Sequence, residues 1–281
     1  MTATLIRRET AEHLETLTTR KLGGRVVACW GSVGSGKTSV CVNLGFELAS
    51  LGKRVLILDL DSYRPSIAAL LGLTNPGPGI TAVLRLARAS RLSLEELSRL
   101  SEELSFAKST LRVVAGINAP GRWPELDAAG IGELFRFTRD HFDFCLVDVA
   151  SELEEGLFSQ LSGVPRNFAS SEVLRISDLA LGLFSSDPIG VNRFLQDLRG
   201  VNFEFWPIAN RIRASVLGRN PERQVRDTMF KIASLKIHTT IPEDGAALDA
   251  AQQRGQPLIL AAKSSKTREA IRLLALEIAD L

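Results

Sequence analysis

Residues 31–38 constrain this chain more than any other stretch. They read Gly31-Ser32-Val33-Gly34-Ser35-Gly36-Lys37-Thr38, the G-x-x-x-x-G-K-[ST] pattern of a loop that wraps a phosphate. The glycines let the backbone turn tightly with its N–H groups pointing inward, and a following helix adds the positive end of its dipole. In such a loop Lys37 neutralises the outer phosphates of a nucleotide, and the Thr38 hydroxyl takes a position on Mg²⁺. Ser39 carries the same nucleotide-binding surface into the helix. The flanks match. Residues 24–30 (GRVVACW) are a short apolar, β-rich run between glycines, which predicts a buried strand. Residues 38–51 place Val40, Leu44, Leu48 and Leu51 at helical spacing, with Gly52 as a stop. A glycine-rich turn between any strand and helix would share the composition, but not the lysine and threonine in that order.

The rest of the chain alternates. Residues 53–61 (KRVLILDLD) form a near-continuous apolar run, as expected of a strand covered on both faces. Its terminal acids, Asp59 and Asp61, are expected to point in opposite directions and do separate jobs at the carboxyl end of the sheet, where ligands collect. Residues 62–72 enter a helix through Pro65, and residues 74–79 (TNPGPG) break the pattern. Residues 80–104 read as helix in two pieces parted near Ser90, residues 111–115 as strand, and residues 127–141 as helix. Residues 143–149 (DFCLVDV) are another buried strand ending in Asp148. An apolar strand ending in aspartate downstream of a phosphate loop is the usual partner of the bound Mg²⁺. Residues 151–171 are acidic at first (Glu152, Glu154, Glu155) and turn-like around Gly163 and Pro165. Beyond them, strands at residues 179–184, 203–209 and 236–241 alternate with helices opened by Asp187-Pro188, Pro221 and Pro242-Glu243-Asp244. A last helix, residues 266–281, carries Ile271, Leu274, Ile278 and Leu281 on one face, most simply a core face. The alternation predicts an α/β fold, a doubly wound, mostly parallel sheet flanked by helices. Residues 23–281 read as one domain, and residues 1–22, with Ile6, Leu14 and Leu17 among mixed charges, as an N-terminal arm.

Composition narrows the partners. With 281 residues, 45% hydrophobic and 23% charged, the chain suits a globular domain with a substantial core. A formal net charge of +2 supplies no basic field of the kind that attracts nucleic acid. Arg211, Arg213, Arg219, Arg223 and Arg226 do fall in one segment. The plain reading is the basic side of a solvated helix and loop; DNA binding is the alternative, recognisable by a steep loss of affinity with salt. Cys29, Cys41 and Cys145 lie in apolar contexts without CxxC spacing and read as reduced core residues. His13, His141 and His238 have no ligand spacing. No apolar run is long enough to span a bilayer, and the first ten residues lack a signal-peptide core. The expected location is cytoplasmic.

Taken in order, GSVGSGKT, VLILDLD, FCLVD, ANR and IPEDGAALDAAQQRGQPLIL resemble the MinD/ParA family of positioning and partitioning ATPases, from about Gly23 to the C-terminus. The nearest branch is MinD-like, including proteins tied to Flp/Tad pilus placement. The resemblance implies an ATP- and Mg²⁺-dependent hydrolase that dimerises with ATP and is stimulated or localised by a protein partner, peripherally at a membrane or cell pole. By position, Lys37 and Thr38 match the family's phosphate and Mg²⁺ residues, and Asp61 the residue that positions or activates the attacking water. Asp59 is implied to support the metal shell, and Asp148 to be the Walker B acid. Asn210 matches the residue whose amide reads adenine, with Arg211 beside it, and the loop at Pro242 and Glu243 covers the base. In-line attack of water on a γ-phosphate needs little beyond positioning and charge neutralisation.

Two departures stand out. The family's loop carries a second, signature lysine just after its first glycine, which reaches across the dimer; here Ser32 stands in that place. Arg64 is one candidate replacement cation. Val149-Ala150 replace the small polar residue and proline usual after the Walker B acid. The expectation is a slow MinD/ParA-like switch ATPase; the alternative is a scaffold that binds ATP, dimerises and recruits partners without turnover. A bacterial tyrosine kinase shares the run from Asp59 to Arg64, but needs a tyrosine-rich tail, and Tyr63 is the only tyrosine. A signal-recognition-type GTPase shares the loop, but its D-T-A-G switch and T-K-x-D turn are missing.

Overall fold

A computed structural model describes residues 23–153 and 165–281. The predicted arm (residues 1–22) and the acidic and turn-like stretch at Glu154, Glu155 and Gly163 lie outside the described residues. At the centre of the sheet runs β1 (Arg25–Gly31), flanked in parallel by β5 (Phe144–Val149) and β6 (Leu179–Ser185). Beyond β5 come β2 (Val55–Leu60) and β4 (Ser109–Val114); beyond β6 come β7 (Trp206–Ile212) and β8 (Thr239–Pro242), again parallel. An antiparallel strand, β3 (Glu102–Phe106), closes the edge next to β4 and completes eight strands among the described residues. The connections hold α1 (Lys37–Ser50), α2 (Ile67–Leu70), α3 (Gly79–Arg88), α4 (Leu94–Leu100), α5 (Ala128–His141), α6 (Phe168–Ile176), α7 (Pro188–Asp197), α8 (Ala214–Leu217), α9 (Pro221–Ala233), α10 (Gly245–Arg254), α11 (Leu258–Ala261) and α12 (Lys266–Ala279).

Strands buried on both faces need apolar residues at every position, and the central runs supply them. Val26, Ala28 and Trp30 enter a core that also holds Val83 of α3, Phe135 of α5, Val173 of α6, Phe194 of α7 and Met229 of α9. Val27 and Cys29 point the other way, among Leu44 and Leu48 of α1 and Ile271, Leu274 and Ile278 of α12. The predicted doubly wound sheet is the observed one. Helix starts follow local chemistry. The Asp187 carboxylate accepts the N–H groups of Ile189 (3.1 Å) and Gly190 (3.0 Å), and Asp127 that of Gly130 (2.9 Å), the geometry of N-caps.

Several expectations need correction. Residues 102–104 are strand rather than helix. Leu104 pairs with Leu111 across the hairpin, and Phe106 packs on Phe46 of α1 with ring centroids 4.9 Å apart. The turn at Ala107-Lys108 puts Ala107 at φ 50° without the glycine or asparagine that would announce it. Helix within residues 62–72 shrinks to α2, because Asp59 and Asp61 draw the preceding backbone N–H groups into a turn. Phe203 and Phe205 precede β7 and meet Trp30 edge to face instead of joining the sheet. The last helix ends at Ala279, leaving Leu281 exposed.

Cys29, Cys41 and Cys145 are free and buried. The Cys145 thiol is pushed up to about 12 by burial, and Cys41 is raised by its neighbour Cys29 and by burial. A thiol buried out of reach of a reagent does not attack a disulfide. Ellman's reagent is therefore expected to react with none of the three thiols in the folded chain and with all three in denaturant. Fast labelling without denaturant would contradict this packing.

Candidate functional site

β1 stops against β6 at Gly31, whose N–H neighbour Ser32 donates to the Leu183 carbonyl at 3.2 Å. A Cβ on Gly31 would lie 2.0 Å from that carbonyl oxygen, so no larger residue allows so close an exit. Gly34 and Gly36 both adopt φ of +82°, in the left-handed region that favours glycine. Gly36 caps α1 without any side-chain hydrogen bond, which leaves first-turn N–H groups facing the loop for a ligand. The hydroxyls of Ser32 and Ser35 are buried without a partner among the described residues.

The charges converge just below this loop. Lys37 Nζ lies 3.1 Å from Asp61 Oδ2 and 3.7 Å from Asp148 Oδ1, and Thr38 Oγ1 donates to Asp148 Oδ2 at 2.7 Å. Asp59 and Asp148 are register partners on adjacent strands. Burial first, and then the Asp148 charge, push Asp59 up to about 7; burial likewise pushes Asp148 up to about 6, against the pull of Lys37. Burial would raise Asp61 too, but Lys37 and the N–H groups of Arg64 and Tyr63 outweigh it and hold that carboxyl below its ordinary value. Lys37 keeps its proton: burial disfavours the charge, but Asp148 and Asp61 overcome it.

Asp59 and Asp61 make different contacts, though not for the reason expected. Residues two apart on a strand share a face; the divergence arises because β2 ends at Leu60. Asp59 turns back to accept N–H groups from Asp61 (3.2 Å), Ser66 (2.9 Å) and Ile67 (3.1 Å), whereas Asp61 leaves the strand and meets Lys37.

The site fits a divalent cation that arrives with a nucleotide. Asp148 Oδ1 is buried and accepts no hydrogen bond among the described residues, an acceptor with capacity to spare beside the Thr38 hydroxyl. Three buried carboxylates share one lysine, an excess of negative charge that a cation relieves. Among the described residues no trio of His, Cys, Asp or Glu side chains forms a metal cage. Mg²⁺ held by one or two protein groups completes its shell with phosphate oxygens and water.

Two clefts adjoin the loop. The first holds the loop together with Asp61, Tyr63, Arg64, Ser151 and Glu152. The second, of about 320 Å³, runs from Gly36 and Ser39 past Asn43 and Asn210 to Pro242, Glu243 and Leu248. Asn210 and Arg211 sit at a bulge where β7 shifts register against β8, with Arg211 at φ 58°. Asn210 Nδ2 thereby reaches the Ser35 carbonyl at 2.7 Å and braces the phosphate loop. Arg211 and Arg213 each pair with the Glu243 carboxylate at 2.9 Å. Of the remaining predicted basic cluster, Arg223 pairs with Asp227 at 3.5 Å and Arg226 donates to the Ile237 carbonyl. Arg211 and Arg213 thus share one carboxylate, whereas Arg223 and Arg226 make contacts of their own. Tyr63, Ser151, Asn43 and Leu248 carry no sequence signal, because their places depend on which loops the sheet order brings together.

A central parallel strand feeding a glycine loop, with its lysine and threonine opposite an aspartate on the next strand, defines a P-loop nucleotide-binding domain. The chain belongs to the CobQ/CobB/MinD/ParA nucleotide binding domain family, whose model matches residues 26–258. It is similar to the putative septum site-determining protein MinD of Tupiella akineta, 25% identical over 253 residues, 85% of this chain and 72% of that one. It is likewise similar to the antiactivator FleN of Pseudomonas aeruginosa, 27% identical over 237 residues, 82% of this chain and 78% of that one. A ParA family ATPase from Chlorobium tepidum superposes with a TM-score of 0.72 at 16% identity, covering 90% of this chain and 98% of its own. The septum site-determining protein MinD of Pyrococcus horikoshii, complexed with Mg-ADP, reaches 0.67 at 19% identity, over 91% and 96%. Among the described residues no helix is long and apolar enough to cross a membrane.

Proposed function

We propose that this chain binds Mg-ATP, hydrolyses it slowly and uses its two nucleotide states as a switch in intracellular positioning or assembly. The observation that carries the reading is the chain Asp61–Lys37–Asp148–Thr38 at the mouth of the phosphate loop, at 3.1, 3.7 and 2.7 Å. The loop N–H groups and Lys37 bind the phosphates. Thr38 and Asp148 would hold Mg²⁺, which supplies charge neutralisation to the phosphates when bound. Asp61, kept ionised by Lys37, orients the attacking water. Asp59 supports the site indirectly, by shaping the turn that carries Asp61. Asn210, Arg211, Pro242 and Glu243 border the second cleft, which takes the base.

Ser32 is 1% exposed and neutral, so it brings no charge to a partner's nucleotide; Arg64, exposed at the rim of the phosphate cleft, is the candidate cation for a dimer formed across the loop face. This favours low turnover, and supports a second reading, a scaffold that binds ATP without hydrolysis. Relatives point to partners: one solved neighbour is the MinC:MinD cell division protein complex of Aquifex aeolicus. A protein partner that stimulates this chain, or localises it peripherally at a membrane or pole, fits the same scheme, whereas a formal net charge of +2 gives DNA little to bind.

ATP turnover measured beside light scattering tests the reading. The native chain is expected to hydrolyse ATP slowly and dimerise with it. Asp61→Ala should lose about 10²-fold or more of the rate while an ATP-bound dimer accumulates. Binding without turnover, even with candidate partners present, would establish the scaffold instead; absence of binding would end both readings.

A further inference from the structure

Asp61 stands one residue beyond the last position of β2, so no ladder bond holds it. Its place depends on the Asp59 carboxylate, which accepts its N–H at 3.2 Å, and on the turn that follows. Asp61 Oδ1 accepts the N–H groups of Tyr63 and Arg64, each at 2.9 Å, and the turn is in turn clasped from a segment about a hundred residues away. Arg166, two residues before α6, donates from Nε (3.2 Å) and Nη2 (2.7 Å) to the Ser62 carbonyl, in the peptide whose N–H, that of Tyr63, donates to Asp61. Ser62 Oγ donates back to the Arg166 carbonyl at 3.3 Å. The Arg166 guanidinium lies 4.0 Å from the centroid of the Tyr63 ring, and the Tyr63 hydroxyl donates to Asn167 Oδ1 at 2.8 Å. Ser62 and Asn167 are buried, and Tyr63 walls the phosphate cleft.

A planar guanidinium that donates twice to one carbonyl and stacks on the next ring fixes both position and orientation. A single methylene-borne charge cannot do both. We infer that Arg166 is a positioning residue for Asp61: through the Ser62 carbonyl and the Tyr63 ring it holds the turn from which Asp61 faces Lys37 and the phosphate loop. Arg166 itself touches neither. The inference rests on the role proposed above for Asp61.

The test uses the full chain and the variants Arg166→Met, Arg166→Lys and Tyr63→Phe, with Mg-ATP affinity and steady-state kinetics. Tyr63 is the only tyrosine, so 3-fluorotyrosine labelling gives one ¹⁹F resonance that reports the clasp directly. Arg166→Met is expected to lower kcat about tenfold or more with Mg-ATP affinity kept within about twofold, and to shift the resonance. Arg166→Lys, which keeps the cation but not the fork, should recover part of the rate, and Tyr63→Phe should lose less than Arg166→Met. Native kcat in Arg166→Met, or equal losses of kcat and affinity, would overturn the inference. So would an unmoved resonance. If Arg166→Met fails to fold, Tyr63→Phe decides the kinetics and Arg166→Lys the resonance. If the native chain shows no turnover, the ATPase reading fails separately, and the resonance alone decides: a shift on Arg166→Met sustains the contact of Arg166 with the turn at Tyr63, and no shift removes it.

Discussion

Lys37→Ala is expected to lower the affinity for Mg-ATP by about two orders of magnitude or more. The reason is what the alanine leaves behind. Lys37 is buried between Asp61 and Asp148, and Asp59 lies in register beside Asp148. Removing the ammonium takes away the nearest cation from all three carboxylates and from any incoming phosphate. Asp59 and Asp148 already sit at about 7 and about 6, and without Lys37 whatever carboxylate charge stays ionised faces the polyphosphate with no cation between them. Lys37→Met, which keeps the length and loses the charge, should behave as the alanine does if charge rather than packing is responsible. Titration with a fluorescent ATP analogue measures the effect, with circular dichroism to show that the variant folds. An affinity within about threefold of native would remove the phosphate-loop argument.

Trp30→Ala should be the most damaging single change to the fold, destabilising it by about 3–5 kcal/mol. Trp30 is fully buried at the end of β1. Its ring meets Phe194 and Phe203 at 5.7 Å and Phe205 at 6.0 Å. Its Nε1 donates to the Ser151 carbonyl at 3.0 Å, which anchors the segment leaving β5 beside the phosphate cleft. An alanine leaves a cavity among rigid rings that relax only partly, and an unpaired carbonyl. Trp30→Phe keeps most of the packing and should cost about 1–2 kcal/mol, mainly the lost hydrogen bond. Urea unfolding midpoints separate the two. A loss below about 1 kcal/mol for Trp30→Ala would mean that α7 and the Phe203–Phe205 segment collapse into the space.

What was legible in the chain follows the range of each interaction. The phosphate loop, the stop at Gly52 and the cap at Asp187 could be read because each depends on a handful of neighbouring residues. The hairpin at Ala107-Lys108 could not, because its turn carries no glycine or asparagine and its strand is held by Leu111 and Phe46 from elsewhere. Asp59 and Asp61 look alike in sequence. Their different contacts come from where β2 stops and from which N–H groups then fall within reach. Asn210 braces the loop only because β7 bulges against β8, and Arg166 clasps the turn after Asp61 only because β5 lies next to β2.

The amino-acid sequence alone therefore determined the fold class, the location of the phosphate loop and the identity of its lysine, threonine and aspartates. These rest on periodicity and on contacts within a turn or two of chain. The order of strands, the shared charge of three carboxylates around one lysine and the clasp on Asp61 were decided by tertiary structure. Burial and strand register bring together groups that lie from 24 to 110 residues apart, and no local pattern encodes that.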